Sequence, residues 1–301
     1  MHKVLVSAPA KVNLALRVGP PRLDGFHPLD TVFESLDVYD DVVAEPADDI
    51  SVTMTGLGPD LPTDETNLAV RAALLLQQRF GVAEGVRLEI RKRIPVAAGM
   101  AGGSADASAT LVACARLWGL DIDRDDLLEL AGELGSDVPF SLLGGLAHGV
   151  GRGERLTSIA ADVRHDWVLL TSSQGLSTPA VFTEFDDLMG YVRVPETLVS
   201  ETRVLRAALE SGDRDLAREH MINDLEAPAL SLRPDLRDTL RVLRSRGHFA
   251  LLSGSGPTIA VLAESPEQAA DLEKEFHFLF PRHGVLRAMG PAGATHVKEE
   301  V

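Results

Sequence analysis

The segment Pro95-Val96-Ala97-Ala98-Gly99-Met100-Ala101-Gly102-Gly103-Ser104-Ala105 sets glycines among small side chains, after a strand-like stretch and ahead of an alanine-rich one. Glycine lets a backbone approach a ligand closely and adopt positive φ. A helix start presents unpaired N–H groups and a partial positive charge. Together these features suit the phosphates of a nucleotide. The other reading of the pattern is a loop and helix packed tightly on a sheet. Two familiar phosphate loops are excluded: no G-x-x-x-x-G-K-[ST] run occurs, and Gly99 with Gly102 and Gly103 does not make G-x-G-x-x-G. A dinucleotide fold would also open with its glycine loop instead of carrying it so far into the chain.

Three further groups carry possible chemistry. Lys11 and Asn13 lie at i and i+2 in an otherwise apolar strand, so both point to one face. That face is either a solvent-facing edge or a polar pair set for a ligand. In Gly135-Ser136-Asp137-Val138-Pro139, Asp137 follows a helix stop and precedes a proline, either to cap a turn or to present a carboxylate to the glycine loop. Ser253-Gly254-Ser255-Gly256-Pro257-Thr258 is a turn of small residues between apolar strands, which could simply be tight or could bring backbone amides to a second phosphate cluster.

The elements that must position these groups follow from patterning. Alternation gives strands over Val4–Leu16 (broken at Ala8-Pro9), Thr31–Val43, Ile50–Thr55 and Val86–Ile90. Helices are predicted over Asn67–Phe80, Ala105–Trp118 and Asp123–Leu134, the last capped by Asp123 and stopped by Gly135. Beyond about residue 155 the pattern restarts. Strands are expected at Trp167–Thr171, Phe249–Leu252, Thr258–Ala263 and Gly284–Met289. Helices are expected at Thr178–Met189, Glu196–Ser211, Asp213–Asn223, Asp235–Arg246 and Pro266–Phe276, and the tail Lys298–Val301 is expected to fray. Mixed, non-alternating strands and helices favour α+β over a doubly wound parallel sheet.

The chain has 301 residues, enough for roughly two domains. Its net charge of −16 disfavours a general nucleic-acid binder, which needs Lys and Arg against phosphate. A single cysteine, Cys114, excludes a disulfide framework and a cysteine zinc site, and no histidine pair has metal-ligand spacing. The N-terminal apolar run Val4–Val6 is far shorter than the about 7–15 residues of a signal core. No window approaches the ~18 apolar residues of a membrane span, so a cytoplasmic location is expected.

Lys11 with Asn13, the Pro95–Ala105 loop, Gly135–Pro139 and Gly254–Thr258 occur in the order found in the GHMP kinase superfamily, which the chain resembles. Within it, Ser7–Leu14, Asp24-Gly25-Phe26-His27, the doubled Gly102-Gly103 and Ser177-Thr178-Pro179-Ala180-Val181-Phe182 resemble the kinases of 4-diphosphocytidyl-2-C-methyl-D-erythritol in the non-mevalonate route to isoprenoid precursors.

The resemblance implies a two-domain α+β fold, with an ATP-binding domain (1–155), a ferredoxin-like substrate domain (156–301) and the site between them. It implies Lys11 and Asp137 as the catalytic pair acting on the substrate's C2 hydroxyl. Pro95, Val96, Ala97, Ala98, Gly99, Met100, Ala101, Gly102, Gly103, Ser104 and Ala105 would wrap ATP, and Asn67 and Lys92 would lie near adenosine. Asn13, Ser255 and Gly256 would face the substrate. Phe26 and Phe182 would sandwich its cytosine, His27 would read the base edge, and Phe33 and Thr178 would line that end. Mg²⁺ is expected from the reaction class, with no protein ligand assigned. The implied partner is a cytidine diphosphate-linked small molecule, with no nucleic acid or membrane; no oligomeric state is implied. Three positions depart from the family pattern: Phe26 replaces a common Tyr, Ala101 replaces a glycine, and Ala105 lacks a hydroxyl.

Overall fold

The computed structural model describes residues 3–190 and 201–300. In chain order, the first part runs β1 (Val4–Val18), β2 (Leu29–Ala47), β3 (Ser51–Gly56), α1 (Leu68–Phe80), β4 (Gly85–Lys92), α2 (Gly102–Leu117), α3 (Arg124–Leu134), α4 (Val138–Leu143), β5 (Leu146–Gly151) and β6 (Arg155–Ser158). There follow β7 (His165–Ser172), α5 (Thr178–Met189), α6 (Arg203–Ser211), α7 (Arg214–Glu219), β8 (Ile222–Asn223), α8 (Glu226–Leu232) and α9 (Pro234–Ser245). The chain closes with β9 (Phe249–Leu252), β10 (Ile259–Ala263), α10 (Pro266–Leu279), β11 (His283–Gly290) and β12 (His296–Glu300).

Strand β1 lies inside an eight-stranded sheet ordered β12-β1-β2-β4-β3, with β5 on β2, β6 on β5 and β8 on β1. Val4, Val6, Ala8, Ala10, Val12 and Leu14 alternate along it and are fully buried, as a period of two requires against a covering helix. That helix is α2, whose buried Ala105, Ala107, Ala109 and Ala113 keep it close to the sheet. The strand does not break at Ala8-Pro9. It continues through irregularities at Pro9/Ala10 and Asn13/Ala15, which leave the proline a place in a ladder it cannot donate to.

The second sheet is antiparallel in the order β11-β7-β10-β9, a ferredoxin-like arrangement. Strand β7 is buried on both faces: Trp167 and Leu169 join the core under the first sheet, and Val168 and Leu170 join the core with the C-terminal helices.

Several sequence expectations are corrected. The helix expected from Ala105 starts at Gly102. The helix expected over Asp213–Asn223 ends at Glu219, and Ile222–Asn223 instead pair in parallel with Ala15–Leu16. Part of the Glu196–Ser211 helix lies outside the described residues; from Arg203 it is α6. Lys298 to Glu300 are not frayed, because β12 pairs with the start of β1 and Lys298 bonds Asp41 at 3.0 Å. Val301 lies outside the described residues. Just before β12, the Thr295 hydroxyl donates to the Ser141 carbonyl at 2.8 Å and lies 2.6 Å from Ser108 Oγ. This ties α4 to α2.

Candidate active site

Lys11 and Asn13 do share a face, and it is buried. Lys11 Nζ donates to Asn13 Oδ1 at 2.7 Å, and Asn13 Nδ2 donates to Thr31 Oγ1 at 2.8 Å. The same ammonium lies 3.6 Å from Asp137 Oδ2 and 5.6 Å from the centroid of Phe33. Lys11 is 5% exposed and Asp137 is 35% exposed, so the carboxylate is the member of the pair that solvent reaches. Asp137 stands at the start of α4, where Gly135 has ended α3 and Pro139 suits the first helical turn. Its side chain makes no capping bond there, which leaves the carboxylate turned to the ammonium. Phe33 is buried and stacked on Phe140 at 4.8 Å, so it forms the floor under Lys11.

The glycine loop reaches this pair through the backbone. Lys11 N donates to the Met100 carbonyl at 3.2 Å. Val96 and Ala97 are exposed while Ala98 and Met100 are buried. Gly99 has φ +72°, and a Cβ there would overlap the Ser253 carbonyl oxygen, with Gly256 O and N at 3.0 and 3.2 Å. Ser253 Oγ donates to the Gly99 carbonyl at 3.0 Å. A Cβ on Gly254 would lie 3.2 Å from Lys11 Nζ and 3.5 Å from Asn13 Oδ1. Thus β1, the glycine loop and the turn after β9 meet at one point. Ser255 Oγ lies 2.8 Å from Thr178 Oγ1, which links that turn to the start of α5. Ala101 takes φ +60° at the start of α2, a left-handed conformation that disfavours a Cβ.

Asn67 caps α1: its Oδ1 accepts from Ala69 N at 2.9 Å, and its Nδ2 donates to the Pro62 carbonyl at 2.7 Å. Lys92 has its ammonium beneath the loop. It bonds the buried Asp40, Asp106 Oδ2 at 2.7 Å and the Gly102 carbonyl at 3.1 Å. Asp40 Oδ1 also accepts from Arg93 N and Ile94 N at 2.6 and 2.8 Å, which fixes the exit from β4 into the loop. Burial, then the neighbouring Asp40 carboxylate, pushes the Asp106 carboxyl up to about 7 against the pull of Lys92. The same two carboxylates hold the Lys92 ammonium above its ordinary value, against the effect of burial.

A carboxyl raised in the folded state adds stability that is complete below its unfolded value near 3.8 and is lost as pH rises through about 7. Asp106→Asn removes that proton requirement. Its melting temperature relative to the parent should therefore climb between pH 5.5 and pH 8. A difference that stays constant across this range, in thermal unfolding followed by circular dichroism, rules out the buried proton.

Phe26 is half exposed on a tight turn, where Asp24 Oδ1 accepts from Phe26 N at 3.0 Å, and the Arg152 guanidinium covers one ring face at 5.1 Å. His27 is buried, and its Nδ1 donates to the Gly19 carbonyl at 2.8 Å. Its ring packs 5.0 Å from that of Phe182, and its Nε2 lies 3.6 Å from Asp186 Oδ2. The imidazole thus holds Phe182 in place. Sequence reasoning missed Asp40, Asp106, Arg152 and Asn223, whose side chains act on segments remote in the chain.

Two family models match the chain: GHMP kinases N terminal domain over residues 67–145, and GHMP kinases C terminal over residues 205–282. The chain belongs to the GHMP kinases. This family uses ATP, and the N-terminal match takes in the glycine loop and Asp137. Among relatives of this GHMP kinase is the 4-diphosphocytidyl-2-C-methyl-D-erythritol kinase of Leifsonia xyli subsp. xyli, 46% identical over 99% of both chains. Another, from Streptomyces avermitilis, bears the same name and is 51% identical over 88% of this chain and 90% of its own. A crystal structure of 4-(cytidine 5'-diphospho)-2C-methyl-D-erythritol kinase superposes with a TM-score of 0.75 at 34% identity, covering 97% of this chain and all of that one. Among the described residues, no helix of this kinase is long and apolar enough to cross a membrane.

Proposed function

We propose that the protein transfers the γ-phosphoryl group of ATP to the C2 hydroxyl of 4-diphosphocytidyl-2-C-methyl-D-erythritol, in the cytoplasm. The observation that carries this is the Lys11–Asp137 pair, 3.6 Å apart and reached by both the glycine loop and the Ser253–Gly256 turn. Asp137 accepts the hydroxyl proton while the oxygen attacks the γ-phosphorus. The bond from that phosphorus to the bridging oxygen breaks, and ADP leaves. Lys11 offsets charge on the transferred group, as phosphoryl transfer depends mainly on positioning and electrostatics. The N–H groups at the start of α2 face the phosphates. The division at residue 155 belongs to the same proposal, with β8 and β12 returning from the second part to the first sheet.

The oxygen donors fit a Mg²⁺ ion that enters with the nucleotide. Among the described residues, no three His, Cys, Asp or Glu side chains form a metal cage. Mg²⁺ commonly keeps waters and takes its other ligands from substrate phosphates. The half-buried Ser104 hydroxyl, in the first turn of α2, would be one protein oxygen to hold it. Bound there, the ion would neutralise charge on the β- and γ-phosphates.

A coupled ADP-release assay offering the cytidine substrate, homoserine and mevalonate side by side tests the reading. Turnover confined to the cytidine substrate is expected, and preference for either of the others overturns it. The aromatic pair gives a second test. Base stacking contributes about 1–3 kcal/mol, or roughly 5- to 150-fold in affinity. Phe26→Leu should raise KM for the cytidine substrate by about that factor and leave the melting temperature unchanged, because the ring is half exposed. Phe182→Leu should raise it too, and also lower stability by about 1 kcal/mol, because that ring packs on the second core. An unmoved KM in both variants leaves a GHMP kinase without a cytidine site.

A further inference from the structure

The two-residue strand β8 does more than extend the first sheet. Asn223, 8% exposed, uses its whole amide: Nδ2 donates to the Leu252 carbonyl at 2.8 Å and the Gly254 carbonyl at 2.7 Å, and Oδ1 accepts from Leu225 N at 2.9 Å. Its backbone pairs with Leu16 on β1, and Asp224 N donates to the Leu16 carbonyl at 2.9 Å. Asp224 adds a second tie, accepting from Val18 N at 2.9 Å and Arg17 Nη1 at 2.8 Å. The strand it holds carries Lys11 and Asn13, and the carbonyls it holds lie at the end of β9 and in the turn whose Gly254 packs on both of those side chains.

We infer that Asn223 is a positioning residue for phosphoryl transfer. It sets the Ser253–Gly256 turn against β1, and so against the catalytic lysine and Gly99. The inference rests on the proposed kinase reaction. Few other side chains could do this work, since the site needs two N–H donors and one acceptor on a short, neutral stem. Aspartate has nearly the same shape but brings a carboxylate to two carbonyl oxygens that need a donor. Misplacing reacting groups by about 1 Å can cost 10²-fold in rate, so a shifted turn should be visible in turnover.

The test compares Asn223→Asp and Asn223→Ser with Leu240→Val, which weakens the second core without touching the turn. All are assayed well below their melting temperatures. We expect kcat to fall by about 10- to 100-fold in Asn223→Asp, less in Asn223→Ser, and not at all in Leu240→Val. Activity of Asn223→Asp relative to the parent should recover at lower pH, where a protonated carboxyl again supplies a donor. Hydrogen–deuterium exchange should rise in peptides covering residues 98–101 and 253–258. Unchanged exchange in those peptides, or a kcat loss that merely follows melting temperature across all three variants, overturns the inference. Absence of ADP release by the parent protein sinks the proposed reaction instead, and the exchange measurement then still decides whether Asn223 holds the turn.

Discussion

Asp137→Asn should cut kcat by about 10²- to 10⁴-fold, the usual consequence of losing a general base. The amide keeps the shape of the carboxylate, so the start of α4 and the floor formed by Phe33 and Phe140 have no reason to move. KM for ATP and for the cytidine substrate should stay within about threefold, well under the 1.4 kcal/mol of a tenfold change. The loss corresponds to about 3–5 kcal/mol of transition-state stabilisation. It should appear equally in kcat and in kcat/KM, as expected for an interaction made only when the proton moves. Steady-state kinetics on folded protein check this. A variant that retains more than a third of the parent kcat would falsify the assignment of Asp137 as base.

Gly99→Ala should damage both the fold and nucleotide binding. Two costs combine: a Cβ at φ +72° is strained, and it overlaps the Ser253 carbonyl with two Gly256 backbone atoms close behind. All of these are backbone atoms, so the clash cannot be relieved by turning a side chain. Strain and overpacking together predict a loss of about 2–5 kcal/mol, or roughly 5–15 °C in melting temperature. ATP affinity should fall at least about tenfold, because the loop must leave its contact with the turn. Gly103→Ala makes the contrast. A Cβ there meets only Leu68 Cδ1, at 3.8 Å, and alanine favours the helix. Its melting temperature should hold or rise, so a loss of ATP affinity in Gly103→Ala reports contact with the nucleotide and not damage to the fold. Thermal unfolding and calorimetric titration with a non-hydrolysable ATP analogue separate the two positions. Equal melting temperatures for both variants would remove Gly99 from this role.

The features legible in the sequence are local. Lys11 and Asn13 share a face because a strand repeats every two residues; that the face is buried and meets Asp137 is not local. Asp123 caps its helix because its side-chain oxygen reaches an N–H three residues on. The glycine loop, the helix stop before Asp137 and the small turn after β9 could be read for the same reason: each depends on neighbours a few positions away. Their order along the chain carried the family.

What these local features touch depends on segments far away in the chain. Lys92, which the resemblance places near adenosine, is a buried tie under the loop because Asp40 arrives on β2 and Asp106 on α2. Asn223 lies in a two-residue strand, too short to show a period in the sequence; its conformation is set by β1, about two hundred residues earlier. The polar tail resembled a frayed end, yet β1 presents an open edge whose backbone groups are satisfied by β12. Ala101 holds a left-handed backbone that its own side chain disfavours, so that conformation follows from the packing around the loop. In each case the deciding energy is a hydrogen bond, an ion pair or a steric limit between segments far apart in the chain. No local pattern of residue types encodes such a partner, and the proposed active site lies where those segments meet.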